Sequence, residues 1–368
     1  MKKPRLLFVL GMCCGTGIAS VPPSSTSIPS TIPVLERFLD GELEKAPLRF
    51  GAIASAFRLA VRPDGKPLII AHRGASGYLP EHTLAAYAAA YFMGADVIEP
   101  DVVLTKDGVP ICSHDITLDE TTDIAQRFPG RARDDGKHYA IDFTLAEIKT
   151  LEKLGRESRV RMRGHTIPTL GEMIGLVQNL NERTGRTVGI IPEPKKPEFH
   201  RGEDREIERV LVETLASHGY TDRDDPCVIQ CFDLDSLWMM RDELGCDLTL
   251  AFVFGEQPSR ETLDRAAEFC DAFGPKYTML IESPALMEAF LPGGDFERFG
   301  LYPWTFGDDP EPAHEAFRLG VAGIFIDYTD VGVAARDRAM SRLATPDAPA
   351  TEPVTPGSGR PRTRPSAP

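Results

Sequence analysis

Basic residues are outnumbered by acidic ones, and this shortage excludes one broad class of partner. Lysine and arginine total 41 against 55 aspartates and glutamates, a formal net charge of −14 at pH 7. Proteins that bind nucleic acids usually carry a basic face, so we expect no nucleic-acid partner. An anionic substrate would need local cations or a bound metal to overcome the overall negative field.

The sequence also lacks an apolar run long enough to cross a membrane comfortably. Two lysines and an arginine precede a short apolar stretch at the N-terminus, and the small residues Gly17 and Ala19 follow it. This order predicts a signal peptide over residues 1–19, with an uncleaved anchor as the alternative. Cys13 follows Leu-Gly-Met, which makes a lipid anchor a further alternative. We therefore expect an exported chain, periplasmic or secreted, with membrane contact only through such a lipid.

The cysteine pattern does not indicate a disulfide framework. Two of the seven cysteines lie in the predicted signal peptide, which leaves an odd number spread over a large domain. Cys112 and Cys231 lie in apolar, strand-like runs and are predicted to fill the core. Whether Cys246 and Cys270 form a single disulfide bridge is left open by the sequence.

Two further segments have compositions that cannot bury a core. Residues 20–33 are rich in Pro, Ser and Thr and predict a tether, whereas residues 345–368 are of low complexity and predict a disordered tail. The folded domain is therefore expected over residues 34–344. Nothing in the sequence indicates the number of subunits.

Between these segments, short apolar runs alternate with helical patterns. The runs lie at 68–72, 96–104, 109–114, 188–193, 227–232, 248–254, 301–306 and 321–327. Helices with threonine–glutamate capping boxes are predicted to begin at 144–147 and 169–172. This alternation predicts an α/β fold, a (β/α)8 TIM-type barrel. A weak extra strand over 269–275 and a charged insert over 115–165, after the second-strand hairpin, make the predicted barrel irregular.

Charged residues stand at the ends of predicted strands, where a barrel places its reactive groups. His72 and Arg73 follow the first run directly. Glu99 and Asp101 lie two apart in the second run, so strand alternation points both to one face. Two carboxylates in an apolar interior repel each other unless a cation or a proton lies between them. A solvated edge strand is the alternative, which the apolar neighbours disfavour.

A hairpin is predicted to bring a histidine to this pair of carboxylates. Asp107-Gly108 separates two strand-like runs, a strong hairpin signal. A two-residue turn there places Asp101 opposite His114, and a bulge at the turn would shift the pairing by one residue.

Glu193 and Lys195 end another apolar run and share a face. With Glu99 and Asp101, Glu193 completes a set of three carboxylates, and oxygen ligands of this kind favour Ca²⁺, with Mg²⁺ as the alternative. Arginine and lysine bind phosphate oxygens. Two histidines close to their usual pKa can act as base and acid on either side of a phosphorus atom. The set predicts metal-assisted cleavage of a phosphodiester.

The sequence resembles the glycerophosphodiester phosphodiesterase family, and within it the bacterial periplasmic enzymes. The resemblance extends over roughly residues 67–330. The matching blocks are AHRGASGYLPEHTLAAY, GADVIEPDVVLTKDGVPICSHD, RFPGRARDDGKHYAIDFTLAEIK, GIIPEPKKPEFH, QCFD and FGPKYTMLIE. The resemblance implies a Ca²⁺ cofactor and the release of glycerol 3-phosphate and an alcohol. Expected substrates are small glycerophosphodiesters such as glycerophosphocholine or glycerophosphoethanolamine.

The resemblance also implies a role for each site residue. It makes His72 and His114 the catalytic pair. We favour His72 as base and His114 as acid, a choice that the sequence leaves open. Arg73 and Lys195 bind the phosphate. The implied metal ligands are Glu99, Asp101 and Glu193, and residues that could line the pocket are Glu81, His200, Phe232 and Trp304.

Two features depart from the family pattern. GDD follows the YPWTF block where relatives commonly carry Asn or Arg, and Lys196 replaces a small residue. On a strand, Lys196 should face away from the site. Glu81 could support the site or serve as a helix N-terminal charge.

Two other functions are alternatives to this one. A lysophospholipid or inositol-phospholipid phosphodiesterase could use the same barrel, but no basic amphipathic stretch indicates a membrane substrate. A non-catalytic binding or adhesion protein could retain the fold, but all seven expected site residues are present.

Overall fold

The computed structural model describes residues 64–156, 164–290 and 293–344. The predicted signal peptide, tether and C-terminal tail lie outside the described residues. Within the described ranges, no helix is long and apolar enough to span a membrane.

Short strands alternate with helices along nearly the whole described chain. The strands are β1 (Leu68–Ala71), β2 (Val97–Ile98), β3 (Asp101–Leu104), β4 (Pro110–Cys112), β5 (Gly189–Ile190), β6 (Glu193–Pro194), β7 (Val228–Cys231), β8 (Thr249–Phe254), β9 (Ala272–Pro275), β10 (Gly300–Leu301) and β11 (Gly323–Ile326). The helices are α1 (Leu84–Met93), α2 (Ile124–Arg127), α3 (Leu145–Ile148), α4 (Leu170–Thr184), α5 (Pro197–Gly202), α6 (Ile207–Ser217), α7 (Leu234–Trp238), α8 (Arg260–Phe269), α9 (Met279–Glu282), α10 (Pro284–Phe290), α11 (Pro310–Arg318) and α12 (Thr329–Ala344). Both predicted capping boxes are present, at the starts of α3 and α4.

The parallel strands close into a barrel. β1 pairs with both β2 and β11, and β7, β8, β9 and β10 pair in sequence order. An isolated bridge between Ile190 and Cys227 joins β5 to the start of β7, and Ala322 N donates to Leu301 O to join β11 to β10. Two strands of the barrel are each interrupted in the middle. One consists of β2 and β3, and the other consists of β5 and β6. The predicted TIM-type barrel is confirmed, and the weak strand over 269–275 is a full member, β9.

Alternate residues of each strand fill the barrel interior. Leu68 and Ile70 pack inside, whereas Ile69 and Ala71 pack outward against the helices. Continuing this alternation past the strand end places the side chain of His72 at the inner mouth of the barrel. By the same alternation, Val97 and Glu99 both point inward, and the rule applies at the other strand ends as well.

The hairpin after β3 differs by one residue from the predicted register. Val102 lies opposite Cys112, and Ser113 N donates to Asp101 O at 3.0 Å, so Asp101 faces Ser113 and not His114. Thr105 N donates to Val109 O at 3.1 Å and closes a three-residue turn whose last member, Gly108, has φ of 76°. The extra turn residue, with the left-handed conformation that glycine tolerates, shifts the pairing.

The segment after this hairpin has a hydrophobic core of its own. We call it the insert core, and its buried members are Val103, Ile111, Leu118, Ile124, Ala140, Phe143, Ile148, Leu151 and Ile167. Only short helical pieces occur between residues 115 and 156, consistent with the charged, helix-poor sequence. This packing holds the segment beside β3 and β4 at the barrel mouth.

All five cysteines of the described chain are buried and free. Burial raises the pKa of the Cys112 thiol to about 12, and it raises the pKa of Cys231 as well. Cys246 and Cys270 therefore do not pair, and the cysteines serve as apolar filling.

Candidate active site

Three carboxylates from two neighbouring strands converge at the barrel mouth. The β3–β6 register sets Asp101 beside Glu193, and Glu99 precedes Asp101 on the inward face. One oxygen from each of the three lies within 4.8 Å of the others, and all three side chains are buried. The predicted acidic cluster is therefore present.

The electrostatics of this cluster favour a bound cation. Burial and the neighbouring carboxylates raise the pKa of Glu99 and Glu193. Burial alone would also raise the pKa of Asp101, but Lys195, His82 and Arg73 hold it well below its usual value. Asp101 Oδ1 is buried and accepts no hydrogen bond. A hard divalent ion held by these three residues would supply the missing partner and offset the repulsion.

Two cations flank the cluster, as predicted. Arg73 N donates to Glu99 Oε2 at 2.8 Å, and its side-chain Nε lies 3.3 Å from Asp101 Oδ2. Lys195 Nζ donates to Glu193 Oε1 at 2.6 Å and lies 3.7 Å from Asp101 Oδ1. Both side chains line the same cavity as the carboxylates. They are positioned to hold a phosphate that approaches the cluster.

Each of the two predicted catalytic histidines is held by its own carboxylate. His72 Nδ1 lies 2.6 Å from Asp327 Oδ1, and His114 Nδ1 lies 2.6 Å from Asp115 Oδ1. Histidine and neighbouring basic groups keep the pKa of Asp327 and Asp115 low, in spite of burial. An ionised carboxylate can only accept, so Nδ1 carries the proton in both pairs and Nε2 is left for a substrate.

Three cavities that share lining residues surround these groups. The inner cavity, about 90 Å³, is lined by both histidines, the acidic cluster and the two cations. The outer cavity, about 760 Å³, extends from His114 and Lys195 toward the insert. The lateral cavity, about 240 Å³, is lined by both histidines and by Glu81, Arg156 and Asp327.

Of the other residues predicted to line the pocket, two do so and His200 does not. Phe232 and Trp304 both line the inner cavity, with ring centroids 5.3 Å apart in an edge-to-face arrangement. His200 lies elsewhere, buried on α5 with neither ring nitrogen hydrogen-bonded, because it is a helix residue and not a strand end. Lys196 lines the outer cavity and does not face away, since its left-handed φ of 49° ends the strand alternation.

Four site residues were not singled out from the sequence. Gln230 Nε2 donates to Glu99 Oε1 at 3.0 Å, and His82 Nε2 lies 2.8 Å from Asp101 Oδ2. The others are the two histidine partners, Asp115 and Asp327. Asp327 directly follows the last strand, the same signal that marked His72, so strand-end counting could have found it. His82 reaches Asp101 through a left-handed φ of 54°, for which the sequence carries no signal.

Glu81 supports the site electrostatically without joining the acidic cluster. Its Oε2 lies 3.2 Å from Arg73 Nη1 and 3.3 Å from Arg156 Nε. Both arginines line the lateral cavity. Burial alone would raise the pKa of Glu81, but Lys153, Arg73 and neighbouring cations lower it to about 2. The ionised form is therefore the one that the folded chain stabilises.

This shift predicts how stability depends on acid. A carboxylate whose folded pKa is lowered stabilises the fold above its unfolded pKa, about 4.5, and that contribution is lost as pH falls toward 2. We expect Glu81→Gln to lower the free energy of unfolding at pH 7 by about 3 kcal/mol and to flatten its fall between pH 5 and 2. Urea unfolding at several pH values measures this. Glu120→Gln, at an exposed position, is the control. If the free energy of unfolding falls equally between pH 5 and 2 in the Glu81→Gln and native chains, Glu81 is not the group responsible.

Comparison with known proteins agrees with the geometry. The model of the glycerophosphoryl diester phosphodiesterase family matches residues 72–331. A Haemophilus influenzae glycerophosphodiester phosphodiesterase is 33% identical over 322 residues, covering 72% of this chain and 88% of the relative. The Bacillus subtilis glycerophosphodiester phosphodiesterase is 30% identical over 285 residues, covering 73% and 86%.

A solved structure adds a ligand to this comparison. A phosphodiesterase from Oleispira antarctica, in complex with the product sn-glycerol-3-phosphate, is 25% identical with a TM-score of 0.58. The match covers 75% of this chain and 98% of that one. The family match spans the strand ends from His72 through Asp327, where every site residue lies. The chain therefore belongs to the glycerophosphoryl diester phosphodiesterase family and is a phosphodiesterase of that family.

Proposed function

We propose that this chain hydrolyses small glycerophosphodiesters, such as glycerophosphocholine and glycerophosphoethanolamine, to glycerol 3-phosphate and an alcohol, in a reaction that needs Ca²⁺. The observation that carries the proposal is the meeting of two carboxylate-held histidines and an acidic cluster at one cavity. The product bound by the Oleispira antarctica relative supports the same substrate class.

Glu99, Asp101 and Glu193 would hold the metal, with their relative positions set by the β3–β6 register. When bound, the ion supplies positive charge to the phosphate oxygens as negative charge develops there. Mg²⁺ is the alternative ion for the same oxygen ligands.

The chain's own residues then divide the work. Arg73 and Lys195 bind the phosphate and orient it in the inner cavity. His72 takes the proton of the attacking oxygen, from water or from the neighbouring glycerol hydroxyl. His114 gives a proton to the leaving alcohol, because it stands where the inner cavity opens into the outer one. Asp327 orients His72 throughout the reaction.

A release assay tests the proposal directly. The purified chain is incubated with glycerophosphocholine, and glycerol 3-phosphate is measured with Ca²⁺, with chelator, and after Ca²⁺ is restored. We expect turnover that the chelator abolishes and Ca²⁺ recovers. A parallel arm with lysophosphatidylcholine checks the lipid alternative. Failure to cleave any glycerophosphodiester with either Ca²⁺ or Mg²⁺ would sink the proposal.

A further inference from the structure

The outer cavity is much larger than the inner one and lies on the leaving-group side of the proposed reaction. It shares His114, Lys195 and Phe232 with the inner cavity, whereas His72 does not line it. His114 lines all three cavities, but only the outer one lacks His72, so an alcohol that leaves on the side away from the proposed base occupies the outer cavity. The chemistry of its walls therefore bears on which alcohols the enzyme accepts, and this step rests on the proposed function.

Most charged groups on these walls are already neutralised by a partner. Arg156 pairs with both Asp115 and Glu120, whereas Lys195, which lies beside Glu193, is assigned to the phosphate of the reacting centre. Asp233 of the same wall accepts from Arg201 Nη2 at 2.9 Å. Arg156 and Asp233 therefore have little charge left for an alcohol bound in this cavity.

Three charged side chains of the outer cavity make no ion pair within the described part of the chain. They are Lys137 of the insert, Lys196 at the start of α5, and Glu198 of the same helix. Two ammonium groups and one carboxylate without an ion pair therefore line this cavity. The unpaired charge of the cavity is net positive, in a chain whose overall charge is strongly negative.

The two lysines lie on segments that are distant in the sequence, the insert and α5, and side-chain contacts join these segments. Tyr139, two residues after Lys137, stacks on Phe199 with ring centroids 5.3 Å apart and an interplanar angle of 21°. Arg133 lies 4.4 Å from the Tyr139 ring centroid.

Ion pairs of the same arginine extend this link. Arg133 Nη1 lies 2.5 Å from Glu203 Oε1, just after α5, and Arg133 Nε lies 2.7 Å from Asp142 Oδ2 within the insert. These contacts join the insert to α5, so Lys137 and Lys196 lie on two segments of the cavity wall that contact each other in the folded chain.

We propose that Lys137 and Lys196 form an anion subsite for the leaving alcohol, so that the enzyme prefers glycerophosphodiesters whose alcohol carries a second anionic group. A carboxylate or a phosphate supplies the required charge. Water still provides the hydroxyl that stays on phosphorus and the proton that the alcohol gains, and only the choice of alcohol changes. Glu198 is available to an ammonium group on the same alcohol.

Matched substrate pairs isolate the second anion. Glycerophosphoserine differs from glycerophosphoethanolamine by one carboxylate, and glycerophosphoglycerol phosphate differs from glycerophosphoglycerol by one phosphate. Both members of the first pair carry an ammonium group, which cancels the effect of Glu198. We expect higher kcat/KM for the anionic member of each pair, and the two pairs distinguish carboxylate from phosphate as the favoured group.

Variants then assign the preference to the lysines. We expect Lys137→Ala and Lys196→Ala each to reduce the preference about 5-fold at low salt, the upper range for exposed charge pairs. The double variant should lose it. Activity on glycerophosphoethanolamine should stay within about 2-fold, and 0.5 M salt should weaken the native preference. Lys106→Ala removes an exposed lysine that lines none of the three cavities, and should leave the preference unchanged.

The outcomes separate this inference from the proposed function. Turnover of all four substrates without a preference, or a preference that survives in the double variant, overturns the anion subsite alone. Turnover of none of the four overturns the proposed function and the subsite with it. Melting temperatures of the variants, which alter exposed side chains, confirm that each is folded.

Discussion

His114→Gln is expected to cleave glycerophosphocholine about 10²–10⁴-fold more slowly than the native chain, yet to keep much of its activity toward a nitrophenyl ester of glycerophosphate. Choline is a poor leaving alcohol that must gain a proton as it departs, whereas nitrophenolate leaves without one. His114 can supply that proton because Asp115 holds its Nδ1 at 2.6 Å and leaves Nε2 toward the cavity. Steady-state kinetics on the two substrates measure the difference.

His72→Gln should behave differently on the same two substrates. A base is needed for the attacking oxygen whatever the leaving group, so both rates are expected to fall by a similar factor. His218→Gln is the control, since His218 interacts with Thr214 and Ser217 and lines none of the three cavities. If His72→Gln, and not His114→Gln, keeps its activity toward the nitrophenyl ester, then His72 is the acid and His114 the base.

Saturating Ca²⁺ is expected to raise the melting temperature of the native chain by about 5 °C. An ion present at 100 times its Kd stabilises the folded state by about 2.7 kcal/mol, and each kcal/mol is worth roughly 2 °C in a domain of this size. The source of this stabilisation is the relief of repulsion among Glu99, Asp101 and Glu193. Thermal unfolding with chelator and with Ca²⁺ measures the shift without any assay of activity.

Glu193→Gln is the variant that tests the location of the ion. It keeps the side-chain volume but removes one of the three carboxylates, so most of the Ca²⁺ shift should vanish. Glu282→Gln changes an exposed glutamate on α9 and should preserve the native shift. An undiminished shift in Glu193→Gln would place the ion elsewhere.

The site was predictable wherever strand alternation decides which way a side chain points. Leu68, Ile70 and His72 follow one inward row, and the same period orients Glu99 and Asp101. The hairpin register was not predictable, because Asp107-Gly108 is compatible with turns of two or three residues. The difference of one residue decides whether Asp101 faces His114 or Ser113.

Contacts that depend on left-handed backbone or on distant pairs could not be read from the sequence. Arg73, His82 and Lys196 all have positive φ, so neither strand nor helix periodicity describes where their side chains point. The partnership of His72 with Asp327 joins residues 255 positions apart. Only closure of the barrel brings their strands side by side.

The separate insert core has a consequence for how the enzyme loses activity. Because its members form a cluster apart from the main barrel core, we expect the insert to open in a partial unfolding step while the main core stays intact. His114 stands at the junction between β4 and this segment, and Lys137 belongs to it. Mild heat or denaturant would then remove the proton donor and the leaving-group wall together. Inactivation would precede global denaturation, and the operating range would be set by the weaker of two cooperative units.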